Sequence, residues 1–283
     1  MSRLSSLGLV LVVGAALLPR PAAAYNILSV NMGGYWNSPY DQYWGGVDGY
    51  GAPGAAGERW YTRVDYQDLN NVDLSQFDVL YIQSAFTDNH VTVPASGALS
   101  ALQSKATEIR DFVAGGGGLV ALSEPMPDVG SWDWAPVELN SIGVYHDQSV
   151  EVVDPSHPVM ANSTSASLSN WDTSWHGYFD HWDDRLDVLA QTGDYGAGDP
   201  RTHQALTLAG TYGDGCCGRM VFTMQDPDFH SYQGFEGART LIGDALDWAA
   251  CSQPVPEPST WALMAGGLGA MAAWRRRRRQ ASS

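Results

Sequence analysis

The chain is short of basic residues, of cysteine and of long apolar runs, and each shortage excludes something. Among 283 residues, 15 are Lys or Arg against 31 Asp or Glu, and Lys105 is the single lysine. A surface of that sign repels nucleic-acid phosphates and anionic lipid headgroups, so no nucleic-acid partner is expected. The three cysteines, Cys216, Cys217 and Cys251, form no Cys-x-x-Cys pair and no paired Cys/His spacing. That argues against a structural zinc site of the finger type. In an oxidising compartment all three are disulfide candidates: either neighbour can pair with Cys251, a strained vicinal Cys216–Cys217 bond is the alternative, and one thiol is left over. No apolar run reaches the roughly 20 residues that span a bilayer comfortably.

The two short apolar runs that do exist sit at the ends. Arg3, then Leu7 to Leu18, then Ala22-Ala23-Ala24 give a positive start, an apolar stretch and a small-residue cleavage site. Residues 1–24 therefore read as a secretory signal peptide, removed by signal peptidase before Tyr25. At the other end stand Pro256-Glu257-Pro258, an apolar run from Trp261 to Trp274, and Arg275, Arg276, Arg277, Arg278 and Arg279. Gly266, Gly267 and Gly269 each lower helix propensity by about 1 kcal/mol against Ala, so the run suits a temporary membrane anchor better than a permanent one. The arginines would stay cytoplasmic by the positive-inside rule. These three ordered elements resemble the PEP-CTERM sorting signal of Gram-negative bacteria that make exopolysaccharide. The resemblance implies recognition of Pro-Glu-Pro by a membrane enzyme of the exosortase type, removal of the tail (residues 253–283) and release to the cell surface or extracellular matrix.

Seven of the 15 basic residues and one of the 31 acidic ones lie in these terminal labels, which leaves 8 against 30 and a net charge of −22 for the mature region. Metal cations or neutral sugars suit such a surface. Nine of the 11 tryptophans lie in residues 25–252 and with the other aromatics can build a core, and that length is enough for one sizeable domain or at most two small ones.

Tyr25 to Asn31 reads as a strand and Trp60 to Val64 as a second, with a Gly- and aromatic-rich loop between them. Phe77 to Gln83 and Gly118 to Leu122 are continuous apolar runs of the kind buried on both faces of a parallel sheet. Between them, Ser96 to Val113 has helical spacing and ends at Gly115 to Gly118. That is a βαβ unit. Ser149 to Val153, Leu186 to Ala190, Ala205 to Tyr212 and Arg219 to Met224 read as further strands, and Phe235 to Ala250 as a closing helix.

Four segments in this order carry a second resemblance: Phe77-Asp-Val-Leu-Tyr-Ile82, Ile109 to Leu122 through Gly115-Gly-Gly-Gly118, His157-Pro-Val-Met160, and Tyr212-Gly-Asp-Gly215 followed by Gly218 to Thr223. Together they resemble the class I glutamine amidotransferase-like superfamily, in its ThuA-like branch. The implied fold is a flavodoxin-like three-layer α/β sandwich with a mainly parallel sheet. Active members place a cysteine nucleophile on the turn after the strand matching Gly118 to Leu122. Here that turn is Leu122-Ser123-Glu124-Pro125, with no cysteine and no glycine two residues to either side of Ser123, as a strained nucleophile elbow would need. Glutamine amidotransfer is therefore not expected, and Ser123 reads more simply as a turn cap.

Three candidate chemistries remain. Ser123, Glu124, Asp226, Asp228 and His230 follow two strands whose carboxyl ends would share a crevice. Carboxylates with an imidazole there could bind a cation, Ca²⁺ included, or serve a hydrolase of polysaccharide or peptide through Glu124, Asp226 and His230. The plain alternative is that Asp226-Pro227-Asp228 is a turn capping its own backbone. Trp171, Trp175, His176, Asp180 and Trp182 combine rings with acids, as sugar recognition does, or form core beneath long loops. His176 and His181, five apart, lie on different faces of a helix or strand, which is poor ligand spacing. The expectation from these readings is an exported surface protein that binds, with exopolysaccharide as the partner; hydrolysis and calcium-dependent adhesion are the alternatives.

Overall fold

A computed structural model describes residues 25–32, 59–84, 96–122, 132–143, 146–213 and 218–251. In chain order they form β1 (Tyr25–Asn31), β2 (Arg59–Asp65), β3 (Val79–Ile82), α1 (Ser96–Ala114), β4 (Gly118–Leu122), β5 (Leu139–Ile142), β6 (Val150–Val152) and α2 (Ser165–Leu168). Then follow β7 (Tyr178–Trp182), β8 (Leu186–Thr192), β9 (Ala205–Thr211), β10 (Arg219–Thr223), α3 (Pro227–Tyr232) and α4 (Glu236–Ala249).

The strands make one mixed sheet with the path β2-β1-β3-β4-β10-β9-β7-β5, and β8 joins β9 and carries β6. From β2 to β10 all neighbours are parallel. From β10 onward the pairs are antiparallel. The parallel half comes from the apolar runs. Every residue of β3 and β4 is buried, as strands covered on both faces require. The antiparallel half extends the sheet through the largely buried β9 and through strands that are short or half-polar, such as β7 with its buried Tyr178 and Phe179 and exposed Asp180 and His181. This makes the molecule an α/β fold of the flavodoxin-like kind with an antiparallel extension.

Two helices cover the parallel half. α4 buries Ala238, Leu241, Ile242, Ala245, Leu246 and Ala249 along one stripe, against β3, β4 and β10. Its end lies so close to the sheet that a side chain at Gly118 would meet the Ala249 carbonyl. α1 packs on β4 and on the 3-10 turns after β2. There the single lysine is used structurally: buried Lys105 donates to the Val72 carbonyl at 2.7 Å and pairs with Glu108 at 2.7 Å. Cys251, just past α4, has a left-handed φ of 44° and is disulfide-bonded. Cys216 and Cys217 lie outside the described residues, as do residues 1–24, the stretch Tyr35 to Gly57 expected to form a loop, and the tail. Among the described residues no helix is long and apolar enough to cross a membrane.

His157 gives a pH dependence to this packing. Its ring meets Trp248 at 4.7 Å and its Nδ1 accepts the Val159 N–H at 3.2 Å. Burial lowers its pKa, against the opposing pull of Asp154. The folded state thus prefers the neutral ring, so the stability it contributes is present above the unfolded value of about 6.5 and is lost as pH falls below it. From pH 7 to pH 5 this contribution falls, while Asp228 and His230, whose pKa values are raised, pull the other way. The test is therefore the difference between two thermal-melt profiles: relative to wild type, His157→Asn, which keeps a capping acceptor without a proton to gain, should become more stable as pH falls from 7 to 5; a difference that does not change with pH would reject the assignment.

Candidate functional site

The carboxyl ends of β3, β4 and β10 lie side by side as a crest of the sheet, and the chain leaving β10 supplies the chemistry. Asp226 is the N-cap of α3 and Pro227 opens the helix. An aspartate in that place ordinarily accepts a backbone N–H of the first turn. Asp226 does not; its side chain makes no capping bond. The His230 N–H bonds the Asp226 carbonyl at 3.2 Å, so the two residues stand one helical turn apart on one face. His230 Nε2 lies 3.2 Å from Asp226 Oδ1.

A third residue arrives from far away in sequence. Asn170 and Asp172 hold left-handed φ values of 67° and 70°, and the bend between them turns Trp171 inward. The Trp171 indole donates to the Ser167 carbonyl at 2.8 Å and the Trp175 indole to the Ser149 carbonyl at 3.1 Å. The His176 N–H then bonds the Met224 carbonyl at the end of β10, 3.1 Å away. This delivers His176 Nε2 to within 3.2 Å of the same Asp226 Oδ1. The two imidazoles stack with centroids 6.5 Å apart and planes 19° apart. Trp171, Phe229 and Phe235 surround the His230 ring at 5.5, 5.0 and 5.8 Å. The Asp226 and His230 side chains are 1 % and 2 % exposed, whereas that of His176 is 19 % exposed and forms the outer side of the cluster.

Asp228, two residues from both, is used differently. It accepts the Ser84 N–H at 2.9 Å, the Ser84 hydroxyl at 2.6 Å and the Phe229 N–H at 3.0 Å. It thereby ties the segment after β10 to the segment after β3. Beneath, Thr207 and Thr223 share a hydrogen bond at 3.0 Å, and Gln225 lies over them, with Thr207 donating to its amide oxygen at 3.4 Å. Burial, opposed by the Ser84 hydrogen bonds and reinforced by Asp226, pushes the Asp228 carboxyl up to about 6. For Asp226 burial also pushes upward, but the two imidazoles outweigh it and hold the carboxyl below its ordinary range. Burial lowers the His230 pKa, but Asp226 and the Gln233 hydrogen bond together outweigh it, so its imidazole is shifted upward.

The sequence candidates thus divide. Asp226 and His230 meet, and Asp228 takes the turn-capping role that the plain reading gave to both aspartates. Ser123 and Glu124 lie outside the described residues. The aromatic group does not form a stacking platform. Trp171 and Trp175 are 1 % and 0 % exposed, Trp182 packs against the core, and exposed Asp180 on β7 accepts from Asn140 at 2.7 Å. A sugar ring cannot stack on a buried indole, so this corrects the sugar-binding expectation for the two tryptophans. His176 leaves that group for the crest. Its partner by sequence spacing, His181, lies on the surface beside Glu138 at 3.4 Å.

Comparison with known proteins bears on the tail and on the fold. Residues 254–279 match the model of the PEP-CTERM protein-sorting motif. That signal implies an exported protein handled by exosortase during a transient stay at the membrane. No curated protein matches the sequence. Among solved structures, a Thermoplasma acidophilum protein described as part of a GMP synthase shares 13% identity, with 80% of this chain and 94% of that chain covered and a TM-score of 0.50. A ThuA-like protein of Bacteroides uniformis shares 13% identity, with 83% and 94% covered and a TM-score of 0.48. A glutamine amidotransferase of Thermotoga maritima shares 8% identity, with 81% and 99% covered and a TM-score of 0.44. At such identities a likeness speaks for fold alone. The chain carries a PEP-CTERM sorting tail behind an α/β domain alike in fold to the Thermoplasma protein.

Proposed function

We propose that the mature protein is a surface or matrix component that acts by binding, in an exopolysaccharide setting, through the crest site of a domain that does not perform glutamine amidotransfer. The observation that carries this reading is the buried Asp226 with two imidazoles on one of its oxygens, in a chain with no cysteine among the residues that follow Leu122 in sequence up to Pro125. A carboxylate between imidazoles is equipped to hold a cation or a polar group, not to form a thioester. The sorting tail and the acidic surface support a place in the matrix, where cations bridge anionic partners.

Retention of the exported chain on its host's exopolysaccharide, measured with and without divalent cations, tests the reading. Retention that depends on cations, with no glutamine hydrolysis, is the expected result. Glutamine turnover, or no retention under any cation, would overturn it. A second reading, hydrolysis of polysaccharide or peptide, draws on the Asp226–His230 contact and the partly exposed His176. Release of reducing ends or new amino termini, lost in His176→Gln, would establish it in place of binding.

A further inference from the structure

We propose that His176, Asp226 and His230 form a binding site for a divalent transition-metal ion of the zinc class. The inference rests on the reading that the crest is the working site, and it names what the crest holds.

The donor set is two imidazole nitrogens and one carboxylate oxygen, with all tips within 4.8 Å of one another. Zinc holds nitrogen and oxygen ligands at about 2.0–2.2 Å, which places neighbouring ligand atoms of a tetrahedron roughly 3.3–3.5 Å apart. The two His–Asp edges here are 3.2 Å each, so closing the third edge completes a three-ligand face.

The contacts are hard to explain as hydrogen bonds. Among the described residues, neither Asp226 oxygen nor His230 Nε2 has a hydrogen-bond partner, although both side chains are buried. A buried carboxylate in that condition is costly unless something else satisfies it. The far side of His230 points the same way. Its Nδ1 lies 2.9 Å from the Gln233 amide oxygen, which can only accept, so Nδ1 carries the proton. In the neutral ring Nε2 then presents a lone pair to Asp226 Oδ1, and two lone pairs at 3.2 Å repel unless a cation, either the proton of an imidazolium or a metal ion, lies between them. Fixing the tautomer through the other nitrogen is how metal-bound histidines are commonly oriented. Gln233 is therefore a positioning residue.

The donors also select the ion. Calcium and magnesium take six or more oxygens, and this set offers one carboxylate; Asp228 is engaged by Ser84 and Phe229. Two imidazoles with a carboxylate favour zinc, cobalt and their neighbours. Three protein ligands leave the fourth position of a tetrahedral ion to water or another ligand.

Cobalt(II) titration of the exported chain, prepared without a polyhistidine tag and stripped with chelator, tests the site. One equivalent should bind with visible absorption of a low-coordinate nitrogen–oxygen site, and zinc should displace it. His176→Gln, at the partly exposed ligand, should keep the circular dichroism of wild type and abolish the absorption. Gln233→Leu should weaken zinc binding by about 10–100-fold. No bound cobalt, or equal binding by His176→Gln, would overturn the proposal. Cation-dependent retention on polysaccharide without cobalt binding at the crest would sink this inference alone. Cobalt binding without any retention would sink the binding role alone.

Discussion

Trp175→Ala should lower the melting temperature of the domain by roughly 8–24 °C. The indole is 0 % exposed, and truncating a buried tryptophan costs about 3–5 kcal/mol. The Ser149 carbonyl, which accepts its N–H at 3.1 Å, loses a partner and adds about 1 kcal/mol. For a domain of this size each kcal/mol moves the midpoint by about 2–4 °C. The consequence for the site is direct. Trp175 precedes His176, and their segment is what brings an imidazole onto Asp226. A ring serving as a sugar platform would behave oppositely, with binding lost and the melt unchanged. Calorimetry on the variant separates the two, and an unaltered midpoint would restore the platform.

The parallel half of the fold is readable because burial on both faces leaves an unbroken apolar run, as in Val79–Ile82 and Gly118–Leu122, and because glycine marks where α1 stops. The antiparallel half is harder. β7 reads Tyr-Phe-Asp-His-Trp, with two inward residues followed by two exposed ones, and β5 is four residues long; neither alternates enough to declare a strand. At the site, Asp226 and His230 are legible as a pair four apart behind a helix-opening proline. Which aspartate caps is not, because the choice is made by Ser84, 144 residues away. His176 escapes for the same reason. Its five-residue spacing from His181 is judged on a regular element, whereas it sits on a bend set by left-handed Asn170 and Asp172. The signal that could have found it is local: two tryptophans four apart, each needing a buried carbonyl, force the next residue out of the core and toward the strand end.

Reducing the exported chain, or replacing Cys251 with Ser, should cost about 4 kcal/mol. Cys251 is disulfide-bonded and lies two residues past the end of α4. The chain's other cysteines are Cys216 and Cys217, so either partner closes a loop of roughly 35 residues, for which chain entropy gives about that stabilisation. The enclosed segment is β10, the crest with Asp226 and His230, and α4, so the crosslink fastens the stretch that carries two of the three site residues. It also lies between the domain and the sorting tail that begins its match at residue 254. A domain locked at Cys251 stays folded while the tail is held at the membrane and removed. Melts with and without dithiothreitol should differ by roughly 8–16 °C in wild type and coincide in Cys251→Ser. Of Cys216→Ser and Cys217→Ser, one alone should reproduce that loss, which identifies the partner and leaves the other thiol free to titrate. A wild-type midpoint indifferent to reductant would show that packing of α4 against β4, rather than the crosslink, holds the end of the domain.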